Sequence, residues 1–518
     1  LNKNKCQQIA NADLLDLLRR VRCFGINLAK LDIRQESSRH TKLITLTINQ
    51  KFKLKYQNLN EKDKIKLLSK LIKRKKSFID KIKVSSYENK EVWKTFKILS
   101  KQPHECMGAY IISMTSKSSD ILSVYLLQKE AKLKKYLRVV PLFETLDDLK
   151  NAKKIMESLF SLSSYRKMIN YKQEVMIGYS DSSKDAGKLS ASWHQYNLQQ
   201  ELRNLAKKFK INITFFHGRG GSPGRGGGPI QATMKSQPAN TVNGKVRITD
   251  QGEVIQQKYG YKPLAEYNLC SYIGSVMEAS LNPPPEVKKS WKNLIIKMSN
   301  ISTSAYRKNI NENEDFIRYF KTITPHKSLG KLSIGSRPSK RKNVDNIQSL
   351  RAIPWVFAWT QIRLMLPAWL GTSEALRYAA IKKFSYTLND MERNWPFFYS
   401  IMDILDMVIT KVDPNISKIY EMNLADSKLK RVGQKLRFQF ESLVKLHNKI
   451  TPKDVIRERK VFRKSLYIRN NYTETLNILQ AIIMNKLSKK NKTLNKKYLN
   501  DALMTSIAGI SAAMKNTG

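Results

Sequence analysis

Three stretches concentrate residues whose types and spacing could do chemistry. FFHGRGGSPGRGGGP, residues 215–229, sets seven glycines and two arginines, Arg219 and Arg225, directly after an apolar run. An RGG-type RNA tail would be long, repetitive and detached from folded sequence. A Walker-type nucleotide loop needs Gly-Lys followed by Ser or Thr, which is absent here. What remains is a loop that closes over an anion. Its two guanidinium forks suit phosphate or carboxylate, and its glycines suit a mobile lid. In GYSDSSKDAG, residues 178–187, Asp181, Lys184 and Asp185 sit among small residues. Read as structure, Ser180 or Asp181 caps a helix and Lys184 is solvated. Read as chemistry, Asp181 is a metal ligand with Glu144 as the second, and Lys184 is a cation for a carboxylate or bicarbonate. Two carboxylates completed by substrate oxygens and water make a magnesium site. On the residues alone both readings stay open. The third stretch pairs GSRPSKR (335–341) with SLRAIPW (349–355), bringing Arg337 and Arg351 into Gly, Pro and Trp surroundings. Lys supplies 68 of the 94 basic residues, so an arginine kept in such a setting points to a need for its planar fork.

The elements that must position these groups alternate. Helical periodicity dominates, as in 11–29 and 61–82 and throughout the last two hundred residues. Five short apolar runs interrupt it: LAKLDIR (28–34), AYIISM (109–114), LRVVPLFE (137–144), EVMIGYS (174–180) and INITFFHG (211–218). Strands separated by helix-like segments predict a parallel sheet with helical crossovers. Polar groups gather where the runs stop: Arg34 and Gln35, Glu144, Asp181, and His217 with Arg219. In a barrel of parallel strands that is the catalytic face. The residues alone predict a mostly α chain with a parallel β-barrel; five strands do not close an eight-stranded barrel, so either some strands go unseen here or the missing ones precede Leu1. The six histidines include no HExxH and no GxSxG accompanies them. His217 abuts the loop, whereas His194, beside Trp193, reads as structural.

The formal charge of +52 first suggests nucleic acid. The excess is lysine travelling with Asn and Ile, as in NKLSKKNKTLNKKYLN (485–500), the residues that A/T-only codons supply. That pattern reads as nucleotide bias spread over solvated faces, with no specific nucleic-acid partner. Cys6, Cys23, Cys106 and Cys270 lack CxxC and zinc spacing and fit a reducing cytoplasm. The run 353–371 has the length of a membrane span, yet Thr360, Gln361 and Arg363 interrupt it, so a helix buried in protein is expected, with no membrane partner.

Five stretches together carry a family resemblance: LDIRQESSRH (31–40), VMIGYSDSSKDAG (175–187), FHGRGGSPGRGGGP (216–229), LRAIPWVFAWTQIRLMLPAWLG (350–371) and MKNTG (514–518). The chain resembles bacterial-type phosphoenolpyruvate carboxylase over essentially its whole length. The resemblance implies a helix-elaborated (β/α)8-type barrel and carboxylation of phosphoenolpyruvate by bicarbonate to oxaloacetate and phosphate, through carboxyphosphate and an enolate. It implies Mg2+ or Mn2+ on Glu144 and Asp181. It implies Arg34, Arg219, Arg337 and Arg351 around the phosphate, with Lys184 and Arg225 handling bicarbonate. It further implies inhibition by aspartate at Arg225, Lys411, Arg469 and Asn516, a homotetramer and a cytoplasmic, anaplerotic role. Residues 1–230 would supply the barrel strands and 231–518 a helical region, in one continuous catalytic unit. The family's TAHPTE-like histidine motif does not occur in the 518 residues. The chain is therefore expected to correspond to the C-terminal part of the enzyme and to be inactive alone, an inactive remnant being the alternative.

Overall fold

A computed structural model describes residues 2–25, 27, 29–82, 84, 86–220, 230–250, 252–329, 350–451, 460–489 and 495–514. Six strands form one sheet: β1 (Leu31–Glu36), β2 (Met107–Ser113), β3 (Arg138–Phe143), β4 (Lys172–Gly178), β5 (Asn212–Gly218) and β6 (Arg247–Ile248). Their spatial order follows their chain order, and the pairs β1–β2, β2–β3 and β5–β6 are parallel. Parallel neighbours need crossovers, and helices supply them, for example Ser118–Glu130 between β2 and β3 and Lys188–Lys208 between β4 and β5. Sequential order with helical crossovers is the wiring of a barrel wall.

All five predicted strands form. The inner ones are buried almost end to end, as continuous apolar runs in parallel sheets are. The first lies later than its apolar run suggested, so Arg34 falls inside β1, opposite Ile111, rather than closing it. Among the described residues β1 has one neighbour, and its half-exposed face frees its bounds from hydrophobic pattern. β6 escaped notice because two residues carry no periodicity.

The chain divides into two compact units. The first comprises Leu1–Phe143, Asn151–Met176 and Ala206–Ile213; the second comprises Glu144–Lys150, Ile177–Leu205 and Thr214–Gly518. The C-terminal ends of β4 and β5 thus belong to the second unit. In the first, buried Glu130 accepts from the backbone N–H groups of Phe78 and Ile79 at 2.7 and 3.0 Å and from the Ser77 hydroxyl at 2.9 Å. That carboxylate fixes the 77–79 turn. His40 is fully buried there, its Nε2 2.8 Å from the Tyr110 hydroxyl.

The second unit is built on an aromatic core. Trp291, Trp355, Trp359, Trp369 and Trp395 are each at most 1% exposed, and Trp291 stacks on Trp395 at 5.4 Å. Of the run 353–371, residues 355–371 are buried, as expected, but not as one helix. The helix Ala352–Gln361 stops at Ile362. Arg363 and Met365 then turn through φ of 57° and 44° into the short helix Leu366–Ala368. Among the described residues no helix is long and apolar enough to cross a membrane.

One buried group opposes this packing. Glu392, in the helix Ser385–Asn394, is 3% exposed, and neither carboxylate oxygen has a hydrogen-bond partner among the described residues. Burial raises its pKa from 4.5 to about 8. Below pH 4.5 the carboxyl is protonated in folded and unfolded chains alike. Between there and about pH 8 the unfolded chain releases a proton that the folded chain retains, so stability falls as pH rises. Glu392→Gln removes that slope. It should stabilise the protein by on the order of 3 kcal/mol at pH 7 and negligibly at pH 4 in urea titrations. An equal gain at both pH values would show that this carboxyl does not titrate in that window.

Candidate active site

Glu144 follows β3 immediately and is 4% exposed. Its own N–H and that of Thr145 donate to Asp148, at 3.3 and 3.0 Å, while the Asp148 N–H donates to the Thr145 hydroxyl. This reciprocal cap starts the helix Leu146–Phe160. Asp181 lies in the first turn of the helix Ser180–Ala186, directly after β4. That helix ends at Gly187, whose φ of +79° favours glycine. A Cβ there would also meet the Tyr306 ring at 3.2 Å and the Leu370 carbonyl at 3.3 Å. The signature GYSDSSKDAG thus closes with the one residue type that the turn admits easily.

Asp185 joins the two strand ends. One carboxylate oxygen accepts from the Leu146 N–H at 3.0 Å, and the other accepts from Arg307 at 2.9 Å. Leu146 lies two residues after Glu144, and Asp185 one helical turn after Asp181, so this contact ties the segments bearing both carboxylates. Lys184 extends the assembly: its ammonium donates to the carbonyl of Leu350, next to Arg351. Arg351 is half-buried at the N-terminus of the helix Ala352–Gln361. Glu144, Asp181, Lys184 and Arg351 therefore belong to one constellation within the second unit. Both acidic groups are hard oxygen donors, the donor type that suits Mg2+ or Mn2+. Among the described residues no group of three His, Cys, Asp or Glu could hold a metal ion, so further ligands would have to come from elsewhere.

Arg219 follows β5, its guanidinium 5.6 Å from the centre of the Tyr179 ring. Burial lowers its pKa, offset by the tyrosines Tyr179 and Tyr272. His217 is 1% exposed, with its Nδ1 2.8 Å from the Tyr179 hydroxyl. Burial and the neighbouring Arg219 pull its pKa down to about 3. His40 is likewise held at about 3, by burial and Arg39. Both imidazoles are neutral near pH 7 and poorly matched to general base work there.

Arg34 lies exposed on β1, in the first unit. Lys411 and Arg469 meet at another helix end. The Lys411 ammonium donates to the Met514 carbonyl at 3.1 Å, and Arg469 donates to the Ala513 carbonyl. Both thus cap the helix Lys496–Met514, where cations favour the helix dipole. Arg363, used above only to exclude a membrane span, donates to the Lys411 carbonyl at 3.0 Å. Arg225, Arg337 and Asn516 lie outside the described residues.

Two groups carried no assigned role in the sequence reading. Asp185 was visible in the motif, but its bridge to Leu146 and Arg307 joins positions far apart in the chain. Lys188 was overlooked entirely. It is 7% exposed at the start of the helix Lys188–Lys208. A signal existed: Lys188, Ser192, Gln195 and Gln199, spaced by four, three and four, form a polar stripe on a helix face.

The Asp185 bridge should be measurable by itself. Asp185→Ala should cost about 1–2 kcal/mol, because it leaves the Leu146 N–H without its acceptor and Arg307 with only the residue-185 carbonyl. Asp185→Asn should recover part of that. A double-mutant cycle with Arg307→Ala should give a coupling of roughly 0.5–1 kcal/mol, since the pair is about one-third exposed. Zero coupling would mean that Arg307 does not hold Asp185 in solution.

The family model for phosphoenolpyruvate carboxylase matches residues 1–518. The curated phosphoenolpyruvate carboxylase of Hahella chejuensis is 42% identical over 511 residues, which cover 98% of this chain and 58% of that protein. That of Histophilus somni is 43% identical with the same coverage, and that of Acinetobacter baylyi is 44% identical over 522 residues, 99% of this chain and 58% of that protein. The chain thus spans about three fifths of the length of these curated relatives. On a match that runs from end to end, the chain belongs to the phosphoenolpyruvate carboxylase family.

Proposed function

We propose that the chain is the metal- and phosphate-binding portion of an enzyme that carboxylates phosphoenolpyruvate with bicarbonate, giving oxaloacetate and phosphate. The observation that carries this is the Lys184 to Leu350 hydrogen bond, which draws Arg351 to the helix bearing Asp181. A carboxylate pair and a set of cations on one constellation suit a substrate with both a phosphate and a carboxylate. Glu144 and Asp181 would hold Mg2+ or Mn2+, which when bound supplies a Lewis acid for the substrate's oxygens. Arg219 and Arg351, with Arg34 and Arg337, would neutralise the phosphoryl oxygens as charge moves. Lys184 and Arg225 would orient bicarbonate. A bicarbonate oxygen attacks phosphorus, and the bond to the enol oxygen breaks with its electron pair left on that oxygen. Carboxyphosphate then separates into phosphate and CO2, which the enolate carbon captures. Around this chemistry we place a closed (β/α)8 barrel in the whole enzyme and a cytoplasmic homotetramer. An aspartate-type inhibitor would sit at Arg225, Lys411, Arg469 and Asn516. Convergence of Lys411 and Arg469 on the end of the helix Lys496–Met514, one residue short of the KNTG tail, supports that last assignment.

The metal assignment is tested by Mn2+ binding, followed by electron paramagnetic resonance. Glu144→Gln and Asp181→Asn should each weaken Mn2+ by at least about tenfold, as loss of one of two carboxylates from a hard-cation site requires. Asp181→Asn should also abolish turnover in the complete enzyme. Unchanged Mn2+ affinity would remove these residues from the site.

An inactive remnant that keeps fold and effector binding is the competing reading. The histidine motif of the family is not among the 518 residues, and His40 and His217 are poor substitutes at about 3. Purified chain 1–518 should form no oxaloacetate from phosphoenolpyruvate, bicarbonate and Mg2+. Turnover should return when the segment of a family member that bears the histidine motif is supplied as a second chain. Robust turnover by the chain alone would refute the need for that histidine, and Mn2+ binding without any rescue would favour the remnant.

A further inference from the structure

The polar stripe on the helix Lys188–Lys208 faces a small pocket of about 50 Å³ within the second unit. Lys188 and Arg219 both line it, and among the described residues no aspartate or glutamate does. Lys188 is 7% exposed and makes no hydrogen bond with any described residue. The charge acting on it is the Arg219 guanidinium, a like charge. Arg219 in turn has a buried Nε without a hydrogen-bond partner among the described residues, and the charges that favour its cation are two tyrosines. The Gln195 amide nitrogen donates to the Gly178 carbonyl and the Ser182 hydroxyl, at 3.0 and 2.7 Å, and as a donor it offers the two cations nothing.

Two desolvated cations that line one pocket are unfavourable unless something anionic joins them. Burial and Arg219 together lower the Lys188 pKa to about 7, so the empty cavity sheds part of its charge near neutral pH. The same arrangement becomes favourable once an anion sits between the two. The rest of the wall selects among anions. Phe397, Ile401 and Ile404 form an apolar side that offers nothing to an inorganic oxyanion but covers a short carbon chain.

We propose that this cavity binds a small carboxylate anion, held between Lys188 Nζ and the Arg219 guanidinium with its carbon chain against Phe397, Ile401 and Ile404. The site stands whether or not the chain carboxylates phosphoenolpyruvate. If it does, an occupant would reach the reaction centre through Arg219, the guanidinium shared by both.

The test is site-resolved reductive methylation of the protein with isotopic formaldehyde, read by mass spectrometry. Propionate and inorganic phosphate are compared against chloride at matched ionic strength. Propionate should slow methylation of Lys188 about tenfold, the change that a one-unit rise in amine pKa produces. Lys262, 87% exposed, should be unaffected and phosphate should protect Lys188 less. As a second readout, propionate should raise the melting temperature of the wild-type protein and of Lys188→Arg, but not that of Lys188→Met. Absence of protection at Lys188, or equal slowing at Lys262, would overturn the site. Protection by phosphate and not by propionate would overturn its carboxylate chemistry. Should Lys188→Met fail to fold, the labelling result on the unaltered protein decides the matter alone.

Discussion

One carboxylate, that of Asp185, holds together the segments on which the proposed site rests. Asp185 accepts from the Leu146 N–H on one side and from Arg307 on the other. Leu146 begins the helix after β3, Asp185 ends the helix after β4, and Arg307 belongs to the long helix Lys289–Asn311. That contact ties the segment after β3, which bears Glu144, to the helix that bears Asp181. A constraint of that kind is what a shared site on two strand ends needs. Lys184 adds the fourth segment through the Leu350 carbonyl, so Arg351 is positioned by the same short helix.

The electrostatics around Arg219 differ from those of the carboxylate pair. Arg219, Lys188 and His217 cluster behind the start of the glycine loop, and burial lowers the pKa of each. The histidine responds by remaining neutral and bonding Tyr179. The lysine is poised near neutrality, and the guanidinium stays charged because its proton is held too strongly to lose. A region organised in this way is a receptor for negative charge. The same logic, satisfied differently, applies to Lys411 and Arg469, whose positive charge is met by the carbonyls of Met514 and Ala513. Arg363 orients this arrangement from below through the Lys411 carbonyl.

Much of this was legible in the residues. The five strands, their helical crossovers and the polar groups at the ends of β3, β4 and β5 follow from apolar runs of the right length and from their abrupt ends. The run 353–371 was readable as buried because Arg363 forbids lipid, although its break after Gln361 was not, since the turn at Arg363 and Met365 uses left-handed backbone at residues that do not advertise it. β1 and β6 were mislaid or missed where burial is incomplete or the strand is too short to show a period.

Sequence by itself determined which side chains end the strands and which family they belong to, because those properties are local in the chain: residue type, spacing and motif. Tertiary structure alone decided which of them act together. Asp185 meets Arg307 across 122 positions, Lys184 meets Leu350 across 166, and Lys188 shares a cavity with Arg219 and Phe397. The polar stripe places Lys188 on its helix face, but nothing in the sequence says whether its ammonium is solvated or buried. That difference arises from what the rest of the chain packs around the ammonium, because desolvation is a property of the surroundings and not of the residue.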